Sequence, residues 1–392
     1  MKICVITDLF GKFNIGGAEI VSSEQAFSLS KKHKVILINS CGTKPKVNSV
    51  KGVKVYSISP SNVCSVQTFL IPSKTLFQKL REFSFRLIDF WNPFVYFKLK
   101  RIFESEKPDV IHVNNFAGFS LAVFSAAKSL EIPVVHTVYD YYWVDPLKGL
   151  LRNNKIKENL GFVNNLRTNT LNLFSKNISL VIFVSLVLGK KNKELGAFKH
   201  SKTTVLYTGV TKVKSAVKKS NQVVFAGGIA NHKGLDILLD AWGKGGFNGV
   251  KLIVYGRGKM PESPKNVIFK GFVKEEKLIK SMQKSLATIV PSIWFDPLPI
   301  VALRSLSVGT PVIASRIGGL PEIIESGYDG ELFRPGNSKE LAQKIKKLLS
   351  NKKLLKIYSE NAFESSKRFE SKKMIKNLEK LYASVLSETS IE

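Results

Sequence analysis

Lys233 and Asp296 are the residues of this chain best placed to act on a phosphorylated ligand. Lys233 lies in the run 222–242, QVVFAGGIANHKGLDILLDAW, between a Gly227-Gly228 pair and a helical pattern. Leu235, Leu238, Leu239 and Trp242 give that helix an apolar stripe. An ammonium just before a helix start meets a diphosphate alongside the free amides of the helix. The same lysine also fits a solvated surface turn. Asp296 sits in the stretch 291–325 beside Pro297 and Pro299. Ile300, Val301, Leu303 and Leu306 follow near helical spacing, Gly309 stops the helix, and Pro311 opens a strand at 312–314. Gly318-Gly319 then allow close backbone approach. A carboxylate and free amides at a helix start, beside a glycine turn after a strand, suit a phosphorylated sugar donor.

Such residues need rigid strand ends to hold them, and the chain supplies a series. Strand-like runs stand at 3–6, 35–38, 53–58, 110–113, 134–137, 181–184 and 204–206. A second set stands at 223–226, 252–255, 267–270, 287–290 and 312–314. Helical patterns separate them, so the fold class is α/β with two doubly wound domains. The Lys- and Ser-rich stretch 209–220 reads as the linker, and the chain from about Ser338 is helical in pattern.

Further candidates lie at other strand ends. Gly16-Gly17 follow the first strand and place amides at a helix start, ready for an anion or an acceptor hydroxyl. His112 ends a strand, where it either lines a cleft or is a satisfied structural histidine. His136, on the strand of IPVVHTVYDYYWVDP, fits a core or strand-edge residue. Gly256-Arg257-Gly258 lacks the third glycine of a dinucleotide fingerprint. No Walker phosphate loop and no Asp-x-Asp triplet occurs.

These segments resemble the signature of family 4 glycosyltransferases, which have the two-domain GT-B fold. Pro291-Ser292, Gly309-Thr310-Pro311-Val312-Ile313, Gly318-Gly319-Leu320-Pro321-Glu322, Lys233-Gly234 and Gly16-Gly17-Ala18-Glu19 match the family pattern as written. The resemblance implies a retaining, metal-independent transfer from a nucleotide-sugar co-substrate to a glycan, lipid-linked or other hydroxyl acceptor, with no cofactor. It assigns the donor side to Gly227, Gly228, Lys233, Arg257, Phe272, Val273, Asp296, Ile300, Val301 and Arg304. The acceptor side falls to Gly16, Gly17, His112 and Asp140. Lys233, Asp296 and Asp140 are the implied catalytic set. The expected organisation is an acceptor domain over 1–208, a linker over 209–220 and a donor domain over 221–370. A helix over 371–392 is expected to cross back to the first domain.

Three positions depart from the pattern. Gly228 stands where an Arg is usual, Tyr139 where a His is usual, and Arg304 where a ribose-gripping Glu is usual. They leave open a second reading, a catalytically weakened scaffold that acts as a binding protein.

The chain of 392 residues carries 60 Lys and Arg against 30 Asp and Glu, a net charge of +30. Such an excess fits polyanionic partners or simply a Lys-rich surface. Nucleic acid is not expected, because no recognition module is present. Cys4, Cys41 and Cys64 show no metal-ligand spacing and read as reduced thiols of a cytoplasmic protein. The first residues, MKICVITDLFG, read as a strand and not as a signal peptide, because Asp8 interrupts a short apolar run. No stretch predicts a membrane-spanning helix. The segment 74–101 mixes Leu76, Leu80, Phe83, Leu87 and Phe90 on one stripe with Lys79, Arg81 and Arg86. It reads either as a core helix or as a peripheral contact with the anionic inner face of a membrane.

Overall fold

A computed structural model describes residues 1–11, 16–40, 45–66, 75–145, 150–152, 155–156, 161–213 and 217–389. Asn14 and Ile15 of the first glycine loop, Cys41, Lys74, residues 214–216 of the expected linker and residues 390–392 lie outside them.

In chain order the strands are β1 Lys2–Thr7, β2 Lys34–Asn39, β3 Lys46–Val50, β4 Val53–Ser57, β5 Val110–Val113, β6 Val134–Val138, β7 Leu151–Arg152, β8 Lys155–Ile156, β9 Leu180–Phe183 and β10 Thr203–Val205. They continue as β11 Gln222–Ala226, β12 Lys251–Tyr255, β13 Val267–Gly271, β14 Ala287–Val290, β15 Val312–Ser315 and β16 Gly330–Phe333. Among the described residues they form an eight-stranded sheet ordered β10-β9-β6-β5-β1-β2-β4-β3, a six-stranded sheet ordered β13-β12-β11-β14-β15-β16, and a two-stranded ribbon, β7-β8. Within the two large sheets every pairing is parallel except β3 with β4.

All twelve strand runs expected from the sequence are strands. The central ones are apolar on both faces because helices cover both faces of a parallel sheet. Besides the two-residue strands β7 and β8, two strands of the large sheets escaped the pattern for different reasons. β3 is KVNSV, an exposed antiparallel edge strand in which Lys, Asn and Ser interrupt the apolar run. β16 is GELF, and its Glu331 is buried because Lys344, Lys347 and Tyr358 satisfy the carboxylate.

In each sheet the strand order reverses at one place. In the first it reverses between β1 and β5, in the second between β11 and β14. Crossovers leave in opposite directions there and open a crevice at the C-terminal strand ends, where α/β proteins bind ligands. The helix Ser371–Thr389 packs Met374, Ile375, Leu378, Tyr382 and Val385 onto the first sheet, against Val5, Val110 and Val135. It therefore ties the end of the chain to the domain where the chain began.

The segment 74–101 forms two helices, Leu76–Ile88 and Pro93–Glu106. Phe85 is buried, but the expected core stripe faces outward: Leu76 is 74% exposed, Leu80 57%, Phe83 60% and Leu87 61%. The core reading of that stripe is thus corrected. No helix among the described residues is long and apolar enough to cross a membrane.

Candidate active site

The two crevices face each other and merge into one cavity of about 620 Å³. Asp8 and Asn115 line it from the switch point of the first sheet, and Gly227, Gly228, Pro291 and Ser292 from that of the second. This volume lies in the range of small-molecule sites, roughly 300–1,000 Å³.

Two helix starts line the cavity, that of Gly17–Leu29 from the first domain and that of Ile300–Ser307 from the second. Lys233, two residues ahead of helix Leu235–Gly245, lines it as well. The first-domain and second-domain starts nearly touch: a Cβ on Gly17 would stand 2.5 Å from Ile300 Cδ1. Ile300 and Val301 open their helix, so their amides have no acceptor within it. The amide of Gly16 is already engaged. Glu19 reaches back to accept it at 2.9 Å, the one half of a capping box that a glycine cap allows. That amide is therefore not open for an acceptor hydroxyl, as the glycine loop alone had suggested.

Lys233 and Asp296 meet directly, with Nζ 2.6 Å from Oδ2. Lys233 closes a 3₁₀ turn, Asn231–Lys233, and also lies over the Trp294 ring at 5.2 Å. Its neighbour Gly234 has φ +68°, and a Cβ there would stand 1.9 Å from the carbonyl oxygen of Pro291, so only glycine fits. This contact presses the lysine turn onto the loop that carries Asp296. The aspartate has 10% of its side chain exposed. The lysine is thus the counter-ion of the very carboxylate expected to hold the sugar. Beside them, Ser292 is 1% exposed, its hydroxyl has no partner among the described residues, and it lines the cavity.

Arg304 lines the cavity and pairs with Glu275, not with Asp296 or Glu322. Asp140 lines it from the first domain, its Oδ1 accepting the Tyr142 amide at 2.8 Å. Tyr139 stands beside it and donates its hydroxyl to Asn114 Oδ1 at 3.0 Å.

Four expected residues lie elsewhere. Arg257 and Phe272 stack on each other at 4.2 Å and are not part of the cavity wall. Val273 packs inward against the cluster of Val224, Ile253 and Met282. His112 is fully buried, bonded through Nε2 to Thr137 Oγ1 at 2.7 Å and through Nδ1 to Tyr382 at 2.7 Å. The reason is strand alternation. His112 points to the sheet face covered by the C-terminal helix, while the cleft lies past the strand end, at Asn115.

Burial pushes the His112 imidazole down to about 3 and the His136 imidazole down to about 4. Both stay neutral in the folded chain at pH values where they would charge in the unfolded chain. Their contribution is complete above about pH 6.5 and is lost as pH falls toward the folded values. By pH 5 the loss should reach roughly 2 kcal/mol per histidine. Thermal melts between pH 7 and pH 5 should show a falling midpoint, with a shallower slope in His112→Asn. Equal slopes in the two proteins would remove His112 from this account.

Residues missed by sequence reasoning include Asp8, Asn115, Ser292 and Trp294. A position just past a strand end at a switch point was the available signal for Asp8 and Asn115, but strand order is not written in the sequence.

The profile described as Glycosyl transferases group 1 matches residues 210–365, and that of Glycosyltransferase Family 4 matches residues 15–212. An uncharacterized glycosyltransferase of Methanocaldococcus jannaschii is 32% identical, covering 72% of this chain and 77% of its own. An uncharacterized protein of the cps region of Klebsiella pneumoniae is 27% identical over 82% of this chain and 87% of its own. Among solved structures, sucrose-phosphate synthase of Thermosynechococcus elongatus superposes with a TM-score of 0.74 at 17% identity, covering 99% of both chains. Anabaena HepE in complex with UDP-glucose superposes with a TM-score of 0.72 at 20% identity, covering 98% of this chain and 100% of that one. The fold is GT-B, and the chain belongs to the family 4 glycosyltransferases.

Proposed function

We propose that this glycosyltransferase uses a nucleotide-sugar donor, retains the anomeric configuration and needs neither metal nor cofactor. One observation carries the reading: Lys233 and two helix N-termini line a single cleft built at the switch points of both sheets. The cation and amides supply positive charge where a leaving diphosphate develops negative charge, the role a metal would otherwise fill. Asp296 exchanges Lys233 for sugar hydroxyls as the diphosphate claims the lysine. Asp140 and the Gly17 side receive the acceptor hydroxyl.

A panel of nucleotide sugars tested by thermal shift, followed by donor hydrolysis and transfer with and without a chelator, tests this. The expected result is one stabilising donor, turnover insensitive to chelation, and a product anomer identical to that of the donor. No stabilisation by any nucleotide sugar, or turnover lost on chelation, would overturn it.

Gly228 offers a second measurement. A Cβ there meets nothing within 4 Å, so an added side chain has room. Gly228→Arg should restore a second phosphate cation and lower donor KM about five- to tenfold, in line with a modest charge-assisted bond of about 1–1.5 kcal/mol. Initial-rate kinetics on both proteins read it out.

The acceptor, on this reading, is presented at a membrane surface of the inner face. Phe77, Leu80, Phe83, Leu87, Phe94 and Phe97 are exposed on consecutive helices, with exposed Lys79 and half-buried Arg81 among them. Arg86 is held by Glu82 one turn away. Helix Phe162–Ser175 exposes Phe162, Val163 and Leu166 as well. Aromatic rings at headgroup depth and cations toward anionic lipid form the pattern of an interfacial helix. Leu80→Glu with Phe83→Glu should reduce co-sedimentation with anionic vesicles at low salt at least tenfold and leave donor hydrolysis intact. Equal sedimentation of the two proteins would reassign this face.

A further inference from the structure

The carboxylate of Glu322 leaves the second domain and grips the first. Glu322 sits in the short helix Leu320–Ile323, directly after the Gly318-Gly319 turn. Its Oε2 accepts the Leu186 amide at 2.8 Å and the Tyr207 hydroxyl at 2.9 Å, and its Oε1 accepts the Val187 amide at 2.8 Å. Leu186 and Val187 open the helix Leu186–Glu194, which follows β9 of the first sheet. Ser185, the cap of that helix, donates its hydroxyl to the carbonyl of Pro297 at 2.6 Å. One helix start of the first domain is therefore closed entirely by groups bound to the second.

The other side of Glu322 leads to Asp296. The Gly319 amide donates to the Asp296 carbonyl at 2.8 Å. A Cβ on Gly318 would stand 2.3 Å from that same carbonyl oxygen, and one on Gly319 would stand 2.2 Å from that of Pro297. Backbone is packed on backbone with no slack. The loop Asp296-Pro297 is thus held between the glycine turn on one side and Ser185 on the other.

We infer that Glu322 is a positioning residue for transfer. It fixes the first domain against the loop that carries Asp296, and so fixes the distance between the donor side of the cleft and the acceptor side at Asp140 and Gly17. This rests on the cleft being the transfer site. The chemistry of the grip is specific to a carboxylate of this length. Three donors, two amides and a hydroxyl, face two acceptor oxygens. A Gln would turn an N–H toward an N–H, and an Asp would fall short by one methylene.

The experiment compares wild type, Glu322→Gln and Glu322→Asp with the donor found by the nucleotide-sugar panel. Donor affinity by calorimetry should change less than twofold, because Lys233 and Asp296 are untouched. The kcat for transfer should fall at least thirtyfold with donor KM nearly constant, and the fraction of donor lost to water should rise. Hydrogen exchange at Leu186 and Val187 should accelerate. Should the Glu322 variants not fold, Tyr207→Phe and Ser185→Ala each remove one contact, and together they should give a smaller drop in kcat of the same kind. Transfer within twofold of wild type in every folded variant would overturn the inference. So would a parallel loss of donor affinity and kcat, the mark of general destabilisation. A wild type that binds and hydrolyses no nucleotide sugar would instead overturn the reading of the cleft.

Discussion

Lys233→Ala is expected to lower kcat/KM at least a hundredfold while the protein still folds. Two losses combine. The ammonium no longer meets the leaving diphosphate, a charge-assisted contact of about 1.5–3 kcal/mol. Asp296, now without its partner at 2.6 Å, becomes a shielded carboxylate facing that diphosphate. Like charges brought together in this way cost several kcal/mol. A total near 3 kcal/mol already corresponds to more than a hundredfold. The fold should survive because Lys233 keeps 28% of its side chain exposed and belongs to a surface turn, not to a core cluster. The double variant separates the two losses. Adding Asp296→Asn to Lys233→Ala removes the repelling charge, so nucleotide affinity should partly recover while transfer stays low. Unchanged kcat/KM in the single variant would place the phosphates elsewhere.

That pair also marks how far the sequence could be read. Parallel strands buried on both faces are continuous apolar runs, so every strand of the two large sheets but β3 and β16 was legible. Glycine positions such as Gly234 and Gly318 were legible because no side chain fits against backbone at about 2 Å. The matched motifs located Lys233 and Asp296, but not their contact, because 63 residues separate them and only the folded crevice unites them. His112 failed for the opposite reason. Its neighbours in sequence lead toward a strand end, yet its ring points sideways to a helix 270 residues later. Glu322 was visible as a motif residue, but its partners lie in the other domain, and nothing local to LPEI specifies them. Local chemistry is written in the sequence; what a side chain faces across a domain boundary is not.

Arg304→Glu is expected to lower nucleotide affinity by about thirtyfold, near 2 kcal/mol. The wild-type guanidinium is 12% exposed, is bonded to Glu275 and lines the donor cavity. Near Glu275, on the first domain, stands Glu24, whose carboxyl is pushed up to about 7 by loss of solvent and by the charge of Glu275, while Arg304 and Lys51 pull it the other way. The arginine is thus, with Lys51, a cation that lets two carboxylates from opposite domains lie near one another. Replacing it by glutamate puts three carboxylates together at the edge of a site that must admit a polyanion, with Lys51 left as the nearby cation. The alternative, that Arg304 merely occupies a vacated ribose position, forecasts no loss or even a gain, since a glutamate could accept ribose hydroxyls. Glu275→Gln discriminates in the other direction. It releases the guanidinium toward the cavity and should raise nucleotide affinity several-fold, the size of a partly exposed ion pair returned to a ligand, about 1 kcal/mol. Combining Arg304→Glu with Glu275→Arg restores an ion pair in reverse, and should recover thermal stability. Calorimetry of the nucleotide with these four proteins gives the order Glu275→Gln, wild type, reversed pair, Arg304→Glu. If Arg304→Glu binds as tightly as wild type, the guanidinium serves only Glu275, and the positive field of the cleft comes from Lys233 and the helix starts alone.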